Sequence, residues 1–573
     1  MDLRSRSLRL WAAAIATLAT GAAVLAAVIG PASAQESPAP ITAPPLPSVY
    51  TASTNYSLTV NGTEVPVVNY SGYDYAQFSM GSGAATVAVT KLNKTNVGVA
   101  SISPQKLGIV ASLSGSTATF TMPEPDYLIV KLDGRRQLVL TADPEETAKP
   151  ASSGDGIFNV TAAPFNADPS GSTVTTQAIQ AAIDAAGQFG TASGSQGTVY
   201  IPNGVYLAGN LALPSNTAVY LEPGAVLRVT PDKSLYSVDA FKSSQNRDLT
   251  WFVHTEIGSS NIKLYGRGTI DGNGMAATKA GFGTDVIVPV GTSNFTLDGL
   301  TIREGASWTV IPVRSHDLAF RNMKIYNRFD MGENDAFDVN ESQNVTVERS
   351  VGVALDDPFS TKSWGKAKPG ARDITFKWPG DPQEVRNVTF DGILSWTFCY
   401  GLKVGQGVFE NQQDVTFKNS VVYDAAVGIG IHHKYGHGAV TGVTFENIDI
   451  ERLDFSNDNN RTWAALFVVD GTKDGSGPIS DVTIRNVTVR DRGQTPALVA
   501  GLSATAGVGS VTFDEIRMPG KPGFATSLAD LGVTGPAFAT AVTVLPAAPP
   551  SPSPSPSPLP TDEPSAVTDG RSR

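Results

Sequence analysis

The 573-residue chain carries 53 Asp plus Glu against 42 Lys plus Arg, a formal charge of -11. That balance disfavours a nucleic-acid partner, because phosphate binding calls for a basic face. A single cysteine, Cys399, excludes a disulfide scaffold, and 5 His beside it make no Cys/His zinc set. Only 17% of residues are charged and 8% aromatic, which suits a β-rich protein of more than one domain.

The first residues place Arg4, Arg6 and Arg9 before an apolar run from Leu10 to Ile29 and then Ala32-Ser33-Ala34. These are the three parts of a secretory signal over 1–34, with cleavage before Gln35 and an uncleaved anchor as the alternative. No later run approaches a membrane span, so an extracellular protein free of the membrane after cleavage is expected. Residues 35–48 read as a linker. From 49 to 150 short alternating segments such as YSLTVNG, ATVAVTKL and DYLIVKL, parted by turn residues, predict an antiparallel β-sandwich. Its Tyr70, Tyr73 and Tyr75 either bind carbohydrate or, the simpler reading, pack against the next domain.

A second pattern begins at Gly154. An amphipathic helix is expected from Thr175 to Ala186, and a phrase of polar, apolar, polar, apolar residues then recurs. It starts at Asn261, Asn294, Asp317, Asn344, Asn387, Asp414, Gly442 and Asp481, at intervals of 23 to 43 residues. Each phrase is a short strand with one face buried, and a shortest period in the low twenties with variable insertions predicts a parallel β-solenoid. The expected fold is therefore all-β: a β-sandwich followed by a right-handed, single-stranded parallel β-helix over 154–544, its open end covered by the one helix. Residues 545–573 are Pro/Ser-rich and predict an extended, disordered tail.

The segment GENDAFDVNESQNVTVERSVGVALDDPFSTKSW carries the most chemistry. Asp335 and the pair Asp356-Asp357 lie about one turn of the solenoid apart, so the three carboxylates share one small site, adjacent coils being ~4.8 Å apart. Like charges that close cannot all ionise, and one carboxyl must hold a proton near neutral pH. A protonated acid beside ionised carboxylates is the equipment of glycoside hydrolysis. The alternatives are solvated corner residues or calcium ligands. Phe337, Trp308, Trp364, Trp378 and Trp396 are candidates for stacking on sugar, at least half of them expected to be packing residues.

Residues Gly154 to about Val489 resemble the pectinase-type β-helix glycosidases, that is, the polygalacturonase family and its relatives the dextranases and isopullulanases. The resemblance rests on GDGIFNV, TTQAIQAAIDAAG, GTVYIPNGVYLAGNLALPSN, LEPGAVL and GRGTIDGNG, on Asn334-Asp335-Ala336-Phe337-Asp338 in place of Asn-Thr-Asp-Gly, and on Asp356-Asp357. It implies an inverting, cofactor-free hydrolase of an extracellular polysaccharide in which Asp356 is the general acid and Asp335 and Asp357 hold the attacking water. Where polygalacturonases carry Gly-His-Gly this chain has Cys399-Tyr400-Gly401, and in place of Arg-Ile-Lys it has Gly430-Ile431-His432. The missing Arg and Lys would read a uronate carboxylate, so a neutral or weakly acidic glycan is expected. Lys362, Lys403 and Lys434 are possible substitutes for the missing charge.

Asp338, Tyr400, His432 and His433 complete the expected substrate contacts, the histidines as hydroxyl partners and not as metal ligands. Cys399 reads as a small residue buried in a stacked ladder. The sequons at Asn294, Asn344, Asn387 and Asn486 belong to the solenoid phrase and do not imply glycosylation. A monomer is expected. Two rival functions are a polysaccharide lyase, which needs a basic catalyst and usually calcium, and a non-catalytic carbohydrate-binding β-helix.

Overall fold

The computed structural model describes residues 38–454, 461–471 and 474–546. The segment expected to be a secretory signal and nearly all of the Pro/Ser-rich tail lie outside the described residues. Alternation builds the first unit: in Tyr56–Val60 and Ala85–Lys91 every second side chain is buried, and these strands face a second sheet across a core that includes Leu58, Val87, Phe120, Leu128 and Leu140. One sheet runs Thr63–Val65, Tyr56–Val60, Ala85–Lys91, Thr117–Met122, Ser112–Ser114. The other runs Ile41–Thr42, Asp74–Met80, Leu138–Pro144, Tyr127–Leu132, Ala100–Ser103. Pairing is antiparallel except between Asp74–Met80 and Leu138–Pro144, which run parallel. Ile41–Thr42 lies within the segment expected as a linker; it pairs with Ser79 and Met80, and Ala39 beside it is buried. The front of that linker is thus part of the sandwich.

The second unit is a parallel β-helix, its largest sheet of 20 strands formed by more than one strand per coil. The recurring phrase is in strict register: Ile262, Phe295, Leu318, Val345, Val388, Val415, Val443 and Val482 pair in succession, one per coil. The residue that opens each phrase has positive φ, from 51° at Asn294 to 69° at Gly442. Asn, Asp and Gly tolerate that left-handed corner better than other residues, which explains why the repeat begins with them. Side-chain amides ladder along the corner, Asn387 donating to Asn344 and Asn344 to Asp317, both at 2.9 Å. Inside, rings stack coil on coil: Phe390, Phe417 and Phe445 lie 4.6 and 5.2 Å apart and nearly parallel. The helix runs Thr176–Ser193, longer than expected, buries Ile179, Ala182, Ile183 and Ala186 against the first coils and stops at Gly194 in the left-handed conformation. No helix of the described residues is long and apolar enough to cross a membrane.

The aromatic residues of the sandwich pack against the coils. Tyr73 is fully buried and donates to the Asn327 carbonyl at 2.9 Å; Tyr75 stacks on Tyr326 at 4.4 Å. The Arg303 guanidinium lies over Tyr50 and Tyr70 and donates to the Tyr75 hydroxyl at 2.8 Å. Trp396 joins the same cluster. Tyr70, Tyr73, Tyr75 and Trp396 are packing residues and have no face for sugar.

Candidate active site

One further sheet of the solenoid carries the site. Its strands are Phe337–Asn340, Phe359–Ser363, Tyr400–Val408, Val427–Tyr435, Thr462–Val468 and Leu498–Ala500, all parallel. Single pairings through Val310 tie it to Gly283–Val288 on the N-terminal side. Phe337 pairs with Phe359, so Asp335 and Asp357 stand at equivalent positions on adjacent coils. The turn that carries the acidic pair is pinned by Asn334: its side-chain oxygen accepts from the backbone of Leu355 at 3.0 Å and of Asp356 at 3.4 Å, while its amide donates to the Arg328 carbonyl. Asn334 was visible in the motif, but no role for it could be read from sequence.

Two buried lysines divide the carboxylates. Lys362 donates to Asp335 and, at 2.7 Å, to Asp338; its nitrogen is 4.0 Å from Asp357. Lys403 donates to Asp357 at 2.7 Å. Asp356 has no lysine of its own among the described residues and is the carboxyl of the trio that keeps an open face. Burial raises the Asp335 carboxyl, but Lys362, Lys242 and Lys403 outweigh it and hold the group below its ordinary range. Burial and the charge of Asp335 push Asp338 well up. Burial, with Asp335 and Asp357 adding repulsion, raises Asp356 to about 7. The site thus holds ionised and protonated acids side by side near neutral pH, as the carboxylate spacing predicts.

A pocket of about 870 Å³ opens over these groups, and Asp335, Asp356, Asp357, Lys362, Tyr400, Lys403, His432 and Lys434 all line it. Tyr400, His432 and Phe467 form a file of rings on successive coils, 6.1 and 4.4 Å apart. Burial and the nearby Lys403 and Lys434 drive His432 down to about 3, so it stands as neutral imidazole. Two expected contacts fall elsewhere. His433 is fully buried, because the strand alternation that turns His432 outward turns it inward to the Gly438 carbonyl and Gly477 amide. Asp338 is likewise sealed behind Lys362 and Ser360. Cys399 does not lie in an interior ladder; it lines the pocket, where burial and the charges of Asp357 and Asp356 keep its thiol protonated. Asp356, Asp357 and Cys399 bring donor atoms within 4.8 Å of one another, and the Lys403 ammonium takes one oxygen of Asp357.

On the N-terminal side the pocket is walled by an insertion. The insertion 364–384 folds back over the outer face of the preceding coils, where Trp378 and Ile374 pack with Trp251, Val288, Trp308 and Val313. Its two ends meet at Glu341, a fully buried carboxylate that accepts from the backbone of Trp364 at 2.9 Å and of Gln383 at 3.0 Å. Arg314 joins them, donating to Glu341 at 2.6 Å and to the Pro379 and Gly380 carbonyls at 3.0 Å. Trp364 stands in the wall, stacked on Trp308 at 6.0 Å. Of the aromatic candidates Trp308 and Trp364 line the pocket, with the Lys242 and Lys362 ammoniums over the Trp308 ring, while Trp378 and Phe337 are buried packing residues. Sequence reasoning missed Lys242, Gln406 and Tyr435 in the lining; Lys242 ends the strand Ala240–Lys242, several coils earlier, a proximity that no local spacing signals.

The family model of glycosyl hydrolases family 28 matches residues 193–520. Curated relatives include a probable polygalacturonase of Vitis vinifera, 25% identical over 47% of this chain and 55% of the relative. A probable exopolygalacturonase X of Aspergillus terreus is 24% identical over 46% of this chain and 62% of the relative. The chain thus spans little more than half the length of these relatives. Among solved structures, the polygalacturonase from Erwinia carotovora ssp. carotovora superposes with a TM-score of 0.51 at 19% identity, covering 70% of this chain and 99% of that one. Dex49A from Penicillium minioluteum gives 0.50 at 13% identity, covering 84% and 91%. These two likenesses are likenesses of fold. The family model spans more than half of the residues and includes every carboxylate of the pocket floor, and the chain belongs to glycosyl hydrolases family 28.

Proposed function

We propose that the protein is a secreted glycoside hydrolase that cleaves an extracellular polysaccharide with inversion, and that Asp356 is its general acid. The observation that carries this is the sorting of the trio: Asp356 retains a proton to about neutral pH while Asp335 is held ionised by lysine beside it. Asp356 gives its proton to the leaving glycosidic oxygen as the bond to the anomeric carbon breaks. Asp335 and Asp357 orient a water and draw off its proton as its oxygen bonds to that carbon. Tyr400, His432, Lys434 and Trp364 are the proposed substrate contacts. The signal-like character of residues 1–34 supports secretion.

The substrate reading favoured here is a neutral or weakly acidic glycan. Lys362 and Lys403 are committed to protein carboxylates, Lys242 to Glu333 and Lys366 to Asp381. Lys368 and Lys434 are the pocket lysines without an ion pair among the described residues, which is little charge for a polyuronate. Polygalacturonate is the second reading, favoured by the names of the relatives and by the free charge of Lys434. The walled N-terminal side supports attack at a chain end, since a polymer lying along the coils meets Trp364 and the insertion one coil beyond Asp335. The test is release of new reducing ends from polygalacturonate, dextran, pullulan, arabinan and galactan, with product lengths and viscosity followed together. Short products at nearly constant viscosity are expected. Activity that survives Asp356→Asn within tenfold would overturn the assignment of the acid, and an early collapse of viscosity would overturn end attack.

A further inference from the structure

We propose that Lys403 is a positioning residue that holds Asp357 in place as a carboxylate and so leaves the exchangeable proton of the acidic pair on Asp356. This rests on the hydrolase reading for its meaning, but its physical content does not. Lys403 stands on Tyr400–Val408, and the ring of Tyr400 lies beneath its ammonium at 4.5 Å. The lysine donates to Asp357 at 2.7 Å with its own side chain almost wholly buried.

The groups that face Asp357 are few. Lys403 and Cys399 approach from the coil after it, Lys362 stands 4.0 Å away, and Asp356 is its chain neighbour. Asp335 and, through Lys403, His432 complete the surroundings. Lys362 is already shared between Asp335 and Asp338. Without Lys403 the buried Asp357 therefore has no cation of its own, and a buried carboxylate in that state takes a proton. Asp356 and Asp357 would then compete for protons as one coupled pair, and the distinction between acid and base would be lost.

Infrared pH titration of the intact protein reads this without any substrate, through the stretch of protonated carboxyl groups. In the wild type a carboxyl is expected to lose its proton near pH 7 and to be absent from Asp356→Asn. Asp285, pushed up to about 7 by burial elsewhere in the coils, is common to all variants and cancels in the differences. Lys403→Met should add one protonated carboxyl between about pH 5 and pH 7, and Lys403→Met/Asp357→Asn should remove it again. A Lys403→Met protein with the carboxyl signal of the wild type would overturn the proposal. A measurement that leaves Lys403 untouched guards against a variant that fails to fold. In Asp357→Asn the lysine is released to Asp356, whose midpoint should fall by a unit or more, and a midpoint that stays near 7 would also overturn the proposal. Because no polymer is involved, either failure is separate from the failure of the hydrolase reading.

Discussion

Replacing Asp356 by Asn should end hydrolysis and, above neutral pH, make the folded protein more stable. Burial and the charges of Asp335 and Asp357 raise the Asp356 carboxyl from 3.8 to about 7, so the ionised form is the one the fold resists. A carboxyl whose folded pKa lies above its unfolded value binds its proton more tightly in the native state. Its contribution is complete below about pH 4 and is lost as pH rises through about 7. Some three pH units at ~1.4 kcal/mol each give about 4 kcal/mol. Asp356 keeps one face toward pocket water, and screening there leaves about half, roughly 2 kcal/mol. Asn cannot ionise, so the variant escapes this loss. Thermal unfolding should find the two proteins melting together only below about pH 4 and the variant a few degrees higher near pH 8. Reducing-end release should fall by about 10²–10⁴-fold, the usual contribution of a general acid. A variant that melts lower than the wild type by the same margin at both pH values would refute the reasoning, because Asp356 would then act through packing and not through charge.

Three further perturbations probe what surrounds the site. Glu341→Gln leaves Arg314 buried without its counter-charge and should cost about 3–5 kcal/mol; trypsin should then cut faster than in the wild type at Lys366, Lys368, Arg372 or Lys377, and products should lengthen. Tyr73→Ala removes a fully buried ring and its bond to Asn327, and urea unfolding should show a loss of about 3–5 kcal/mol. Gly405 has φ +100°, and a Cβ there would lie 2.1 Å from the His432 carbonyl. Gly405→Ala should therefore cost at least ~2 kcal/mol, seen as a lower melting temperature, with activity lost through displacement of Lys403.

The solenoid was legible because its repeat is local: one buried apolar position per coil, read from a four-residue phrase, became a continuous register from Ile262 to Val482. The reason for the Asn or Asp that opens each phrase was not legible, since backbone φ leaves no mark in hydrophobic pattern. The same limit applies at the site. Asp335, Asp356 and Asp357 are placed together by coil spacing alone, but strand alternation decides between His432 and His433, and the phase set by Val427, Ile429 and Ile431, which carries His433 inward, was overlooked. Lys362 and Lys403 read as free cations for a uronate, because their partners sit 24 to 46 residues away on neighbouring coils. The insertion 364–384 carried the least legible information of all. Its role depends on Glu341 and Arg314, two charged residues whose burial only the fold creates.

Charge balance ties these features into one device. The floor of the pocket and the layer behind it hold four carboxyls, Asp335, Asp338, Asp356 and Asp357, and two ammoniums, Lys362 and Lys403. Buried charge in excess of its counter-charge is resisted, so the cluster is near neutral only when two of the four acids are protonated. Asp338 is sealed from the pocket, and burial with the charge of Asp335 favours its protonated form. The second proton has to sit where a lysine does not, and Asp356 is both without a lysine and open to the pocket. Number of cations, more than any single contact, thus determines that this cluster carries one exchangeable proton, and the positions of Lys362 and Lys403 determine that it faces the substrate.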